Sequence, residues 1–147
     1  MEQKLKTLII EDSKPIHVIY NAGLSDIVFE KRFEKDGYEA LETYNKWKPD
    51  IIVLDIMIPG MSGYSLLKEI RQEKKDATTT VVVASSLSGQ DTVGDVLKLG
   101  VQGYIVKPFT HKEIGHKILE SYKKMNPERA ESAFADLESE RKNKPSE

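Results

Sequence analysis

Ile51-Ile52-Val53-Leu54 is the stretch that most restricts what this chain can fold into. An aliphatic run this short and this rich in β-branched residues has the pattern of a strand buried on both faces, as in a parallel sheet covered by helices. Asp55 ends the run, and Pro59-Gly60 and Ser62-Gly63 turn the chain away at once. A carboxylate is costly inside a core, so Asp55 is expected just past the strand, at the sheet's rim. In open parallel sheets that rim is where ligands bind. An isolated Asp there would more simply cap the loop, so its meaning depends on what the other strand ends carry.

Leu5–Ile10 reads as a first strand, and it too ends in acid, Glu11-Asp12. Ser13-Lys14-Pro15 starts a helix, with a capping residue and a first-turn proline. From Ile16 to Asp36 the pattern is helical but impure, and it fits either one long helix with a weak point near Gly23 or two short helices with Ser25-Asp26 capping the second, with Gly37 as the stop. Tyr38–Leu41 reads as a short strand, followed by a helical patch through Tyr44 and Trp47. After the central strand, Tyr64, Leu66, Leu67 and Ile70 form a helical stripe that gives way to the polar Arg71–Asp76. Thr79–Ala84 is a β-branched fourth strand that delivers Ser85 and Ser86. Gln90–Leu99 is a helix with Val93, Val96 and Leu97 inward. Gln102–Val106 is a fifth strand delivering Lys107-Pro108, and Lys112–Met125 is a helix with Ile114, Ile118, Leu119 and Tyr122 on one face.

Strands and helices thus alternate five times, which implies parallel strands joined by right-handed crossovers in a doubly wound α/β sheet. All strand ends then meet on one edge, and four of them carry reactive polar groups: Glu11 and Asp12, Asp55, Ser85, and Lys107. Three carboxylates brought together repel one another, so they recruit a cation or raise a pKa. Oxygen-only ligands with an open side suit Mg²⁺, which keeps waters and binds through few carboxylates plus a phosphate. Lys107 supplies a point charge for a phosphoryl oxygen, Ser85 a hydroxyl donor, and an Asp can attack phosphorus to give an acyl phosphate. The bland alternative for Glu11, Asp12 and Lys107 is a structural ion-pair cluster.

Composition narrows the function classes. The 147 residues amount to one domain with a short appendage, assigned as 1–125 and a C-terminal extension over 126–147. The absence of cysteine excludes disulfides, thiolate metal sites and Cys nucleophiles. A net charge of -2 argues against direct nucleic-acid or membrane-surface binding. With no apolar run long enough to cross a bilayer and no signal-peptide core, the expected location is the cytoplasm.

Four motifs in order carry a resemblance: Glu11-Asp12, Val53-Leu54-Asp55 with Pro59-Gly60 and Ser62-Gly63, Ala84-Ser85-Ser86, and Tyr104-Ile105-Val106-Lys107-Pro108-Phe109. Over Leu5 to Met125 the chain resembles a response-regulator receiver domain of two-component signalling, chemotaxis-receiver-like. The resemblance implies a flavodoxin-like three-layer sandwich with strand order 2-1-3-4-5 and a cis Lys107–Pro108 bond. It implies that Asp55 takes a phosphoryl group from a sensor histidine kinase or phosphotransfer protein. Glu11, Asp12, Asp55 and the backbone carbonyl of Met57 would hold Mg²⁺. Lys107 would pair with the phosphoryl group, Ser85 would move toward it, and Tyr104 would turn inward. Such a domain is no conventional enzyme, although it catalyses its own phosphorylation and dephosphorylation at Asp55, and it would signal to a downstream protein target. A homodimeric state is left open.

Three departures stand out. The segment from Asp12 to Gly37 looks several residues too long for one first helix, with the excess around Asn21–Phe29. Ser86 stands where the family usually has Ala. Met57 and Leu87 flank the site and could shield an acyl phosphate from water. In the tail, Asn126-Pro127-Glu128 starts one further helix with Ala130, Ala133, Phe134 and Leu137 as a thin stripe, and 138–147 is expected to fray. His17, His111 and His116 make no site by their spacing. An Asp-nucleophile phosphatase of the haloacid-dehalogenase type would need a second Asp where Met57 stands. A histidine-phosphotransfer bundle would lack strands. The live rival is a receiver-fold module that signals by protein contacts without phosphorylation.

Overall fold

The computed structural model describes residues 3–86 and 90–143. Its elements run β1 (Leu5–Ile10), α1 (Lys14–Gly23), β2 (Phe29–Glu34), α2 (Gly37–Trp47), β3 (Ile51–Asp55), α3 (Gly63–Lys68), β4 (Thr80–Ser85), α4 (Gln90–Lys98), β5 (Gly103–Val106), α5 (His111–Lys123) and α6 (Pro127–Asn143). The sheet is wholly parallel with order β2-β1-β3-β4-β5, as the resemblance implies. No helix among the described residues is long and apolar enough to cross a membrane.

Alternation along β3 shows how the layers form. Ile51 and Val53 face a core with Tyr20 of α1, Leu24 just after it, and Ile114, Ile118 and Tyr122 of α5. Ile52 and Leu54 face a second core with Ala40 of α2, Leu66 and Leu67 of α3, and Val96 of α4. A strand in the middle of a doubly wound sheet must be apolar on both sides, and these four residues are all buried.

The first third of the chain departs from the sequence reading. Phe29–Glu34 lies in the edge strand β2 rather than in a helix, and Tyr38–Leu41 is the first turn of α2 rather than a strand. The Glu, Lys and Arg of Phe29-Glu-Lys-Arg-Phe-Glu favour helix, and the four-residue spacing of Phe29 and Phe33 fits either element, but all six residues pair with β1. Charges suit an edge strand, where they discourage further pairing. Arg32 lies over the Trp47 ring, 4.4 Å from its centroid. The apparent surplus over Asn21–Phe29 is therefore no extended first helix: α1 closes at Gly23, and Ser25 turns the chain into β2 through its carbonyl, which accepts from Val28 and Phe29. Gly37 opens α2 instead of stopping a helix. Asp36 caps α2 by accepting from the Glu39 N–H at 2.8 Å, and a Cβ at Gly37 would stand 2.0 Å from the Met61 carbonyl oxygen.

Smaller differences follow the same logic. The helix begun by α3 widens into a π turn over Glu69–Glu73, with the Lys74 N–H reaching the Glu69 carbonyl at 2.9 Å. This brings Arg71 to the sheet edge opposite the strand ends that carry the acids. There it donates to the carbonyls of Gly100, Asp76 and Thr79 and to the Gln102 amide oxygen. On α4, Val96 is buried as expected while Leu97 is 48% exposed, and the Val93 side chain lies outside the described residues.

α6 continues to Asn143, past the expected fraying point at Glu138. Ala130 and Ala133 are fully buried against the α1/α5 core, with Phe134 and Leu137 partly so. Arg129 reaches Asp50 at 3.2 Å and the Tyr122 hydroxyl at 3.1 Å, and Ser25 donates to Glu140 at 2.9 Å. Small residues let the helix approach closely, and polar contacts pin its two ends. A chain cut after Met125 is expected to fold but to lose about 2–3 kcal/mol, the area term for a few apolar side chains. Urea unfolding checks this, with a midpoint well below that of the full chain.

Candidate functional site

β1 and β3 are neighbours with Ile10 opposite Leu54, so the next residues on each bring Glu11, Asp12 and Asp55 to one place. One carboxylate oxygen from each of the three lies within 4.8 Å of the others. Glu11 and Asp55 are buried, whereas Asp12 is exposed and leaves the group open to solvent on its side. Asp55 is the last residue of β3, opposite Ala84 of β4, rather than the first residue of the loop. Its burial is tolerated because both oxygens are bonded: Oδ1 accepts from the Met57 N–H at 2.9 Å and Oδ2 from Lys107 Nζ at 2.8 Å.

Lys107 leaves the end of β5 and spans the site, pairing with Glu11 as well as with Asp55. Its backbone N–H donates to the Ser85 carbonyl at 3.0 Å, which ties the ends of β4 and β5 together. The Lys107–Pro108 bond is cis. Phe109 then packs into the core against Tyr20, ring centroids 5.2 Å apart. Gly63 is required behind the site, since a Cβ there would come within 2.7 Å of the Asp55 carbonyl oxygen.

The electrostatics follow from burial and pairing. Burial pushes the Glu11 carboxyl above its usual range, the Asp55 charge adds to the rise, and hydrogen bonds from Lys107 and Ser13 oppose it. Burial alone would lower the Lys107 ammonium, but its bonds to Asp55 and Glu11 outweigh that and raise it. The trio offers only oxygen donors, partly buried and open on the Asp12 side, a donor set that fits a hard divalent cation.

The remaining expected residues stand close by in different states. Ser85 is buried and its hydroxyl donates to the Ser86 carbonyl at 3.0 Å. Tyr104 pairs with Val83 across the ladder, packs on the second core, and buries its hydroxyl with no hydrogen-bond partner among the described residues. The Met57 side chain is 76% exposed. Leu87, expected to flank the site with Met57, lies outside the described residues. Of the histidines, His116 on α5 sits near Glu120 and Phe134. His17 is the residue that sequence reasoning passed over: its ring nitrogen bonds the Glu11 carbonyl. The available signal was its place one helical turn after Ser13, which puts it above the acidic loop.

Replacing Lys107 by Met leaves two buried carboxylates without their cation, a loss of roughly 3–5 kcal/mol at neutral pH. Glu11 has a raised folded-state pKa, so its neutral form is favoured by the fold and needs no cation partner. The stability gap between wild type and Lys107→Met is therefore expected to narrow as pH falls through the carboxylate range. Urea midpoints for both proteins at neutral and mildly acidic pH measure this, and a gap that stays constant counts against the account.

Comparison with known proteins agrees with the architecture. The family model described as "Response regulator receiver domain" matches residues 7–119. The chain is 37% identical over 106 residues to "Chemotaxis protein CheY" of Listeria monocytogenes, covering 71% of this chain and 87% of that protein. It is 36% identical over 118 residues to "Probable transcriptional regulator ycf27" of Guillardia theta, covering 80% of this chain but only 45% of that protein. The chain thus spans about half the length of such relatives. Among solved structures, a Francisella response regulator receiver domain superposes with a TM-score of 0.70 at 31% identity, covering 82% of this chain and 98% of that one. A CheY-like receiver from Methanospirillum hungatei reaches 0.77 at 21% identity over 86% and 99% of the two chains, a likeness of fold. With a parallel sheet of order 2-1-3-4-5, an acidic trio at its carboxyl edge and a family match over most of its length, the chain belongs to the receiver domains of two-component response regulators.

Proposed function

We propose that this receiver takes a phosphoryl group on Asp55 from a sensor histidine kinase or phosphotransfer protein. The observation that carries the reading is Lys107 Nζ bridging Asp55 and Glu11 beside the open Asp12 carboxylate. A carboxylate oxygen of Asp55 attacks phosphorus of a phosphohistidine, the O–P bond forms, and the N–P bond breaks. The imidazole keeps the electron pair and takes up a proton. Glu11, Asp12, Asp55 and the Met57 carbonyl would hold Mg²⁺, which when bound supplies charge neutralisation for the phosphoryl oxygens.

The chain's own residues do the rest. Lys107, its ammonium kept charged by the surrounding acids, pairs with a phosphoryl oxygen. The Met57 N–H orients the Asp55 carboxylate. Ser85 exchanges the Ser86 carbonyl for a phosphoryl oxygen, and because Lys107 is bonded to the Ser85 backbone, that movement is shared by the ends of β4 and β5. A phosphoryl group adds about 1.5–2 negative charges. Reversing a 1:99 equilibrium takes about 5.5 kcal/mol, within reach of several charge-assisted bonds. In this reading the domain works in the cytoplasm and acts on a downstream protein through α4, β5 and α5. A gene-regulatory output of the kind named for the ycf27 relatives belongs to partners or further segments.

The rival reading is a receiver-fold module that signals without phosphorylation. Tyr104 favours it, because the hydroxyl already lies out of water and no inward turn remains to be made. The two part on acetyl phosphate, with phosphoryl incorporation followed by intact mass, with and without Mg²⁺, on wild type and Asp55→Asn. The phospho-switch predicts gain of one phosphoryl group that needs Mg²⁺ and is absent in Asp55→Asn. No gain in a folded wild type that binds Mg²⁺ selects the rival, and labelling that persists in Asp55→Asn moves the acceptor elsewhere.

A further inference from the structure

We infer that His17 is a positioning residue for the metal-binding acids, acting through the peptide that joins Glu11 to Asp12; this rests on the Mg²⁺ reading above. The ladder between β1 and β2 ends at Ile10 opposite Glu34, so the main chain of Glu11 is the first beyond it. Its N–H still finds the Glu34 carbonyl at 3.0 Å. Its carbonyl has passed the end of β1, and a strand-end carbonyl beside a buried side chain needs another donor. The His17 Nε2 supplies it. A carbonyl only accepts, so Nε2 carries the proton in this contact.

The imidazole is itself held in place. The His17 N–H donates to the Ser13 carbonyl at 3.1 Å, which sets the residue in the first turn of α1. Its ring rests on Phe33 of β2, centroids 4.7 Å apart. β2 thereby holds the peptide before Glu11 through the Glu11 N–H, and α1 holds the Glu11–Asp12 peptide through the Glu11 carbonyl. Glu11 has further anchors, since its carboxylate bonds Lys107 and the Ser13 N–H. Asp12 has none: among the described residues its carboxylate takes no hydrogen bond, and it is exposed. The direction of the Asp12 side chain therefore depends on the peptide plane before it, and that plane is what His17 holds. Groups that orient metal ligands commonly change metal affinity by about 10–100-fold when removed.

The test separates the donor from the bulk. His17→Leu keeps an apolar side chain over Phe33 and removes the donor, whereas His17→Gln keeps an N–H donor at similar reach. Phe33→Leu keeps the imidazole but takes away the ring it rests on. Mg²⁺ dissociation constants come from calorimetry at one mildly alkaline pH, with melting temperatures of the metal-free proteins measured on the same samples. The inference expects His17→Leu to weaken Mg²⁺ by about tenfold, Phe33→Leu to weaken it less, and His17→Gln to bind close to wild type. It is overturned if His17→Leu binds Mg²⁺ like wild type, or if Leu and Gln weaken it alike in step with their melting temperatures. A wild type that takes no Mg²⁺ overturns the parent reading, and this one with it.

Discussion

One ammonium group holds the functional end of this molecule together. Lys107 carries the positive charge that bonds Glu11 and Asp55 side by side in a largely buried position. Without a cation at that point, two acids from adjacent strands would repel within a medium that screens them poorly. The same residue joins the fifth strand to the first and third across the sheet and is bonded through its backbone to Ser85 of the fourth. Any ligand that competes for the Lys107 charge therefore bears on four strand ends together.

The register of the sheet makes this possible. β3 sits between β1 and β4 with Leu54 opposite Ile10 and Asp55 opposite Ala84, so a one-residue slip would turn each side chain to the other face and bring the wrong residue to the edge. The cores on either side differ in how they are closed. Among the described residues, the α1/α5 core gains a third helix, α6, whose Ala130 and Ala133 pack where a larger side chain would stand off. On the other side, the π turn after α3 delivers Arg71 to three carbonyls at the opposite sheet edge. Arg71 fastens the edge opposite the acidic trio, while Lys107 occupies the edge that carries it.

Much of the site is legible in the pattern of the chain itself. Leu5–Ile10, Ile51–Leu54 and Thr80–Ala84 are short β-branched runs whose ends carry acids or hydroxyls, and parallel topology forces such ends together. The pattern misleads where local and tertiary preferences oppose each other. Glu30, Lys31, Arg32 and Glu34 are helix formers placed in a strand because Phe29 and Phe33 must reach the α1/α5 core. Gly37 looks like a helix stop, yet it begins a helix capped by Asp36 and is a glycine because the Met61 carbonyl leaves no room for a Cβ. His17 does not show itself as part of the site because its partner is a backbone carbonyl, which leaves no mark on the sequence.

Hydrophobic period and the cost of burying charge are local properties of the chain. They are enough to set the class of sheet, the order in which strands alternate with helices, and which chemical groups arrive at the carboxyl edge. Packing in three dimensions was needed to make β2 the edge strand and to begin α2 at Gly37. Packing also laid α6 along α5, hid the Tyr104 hydroxyl, and set His17 on the peptide between the acids. Each of these depends on contacts between residues far apart in the chain or on a backbone group, and neither kind of contact is written in the periodicity of side chains.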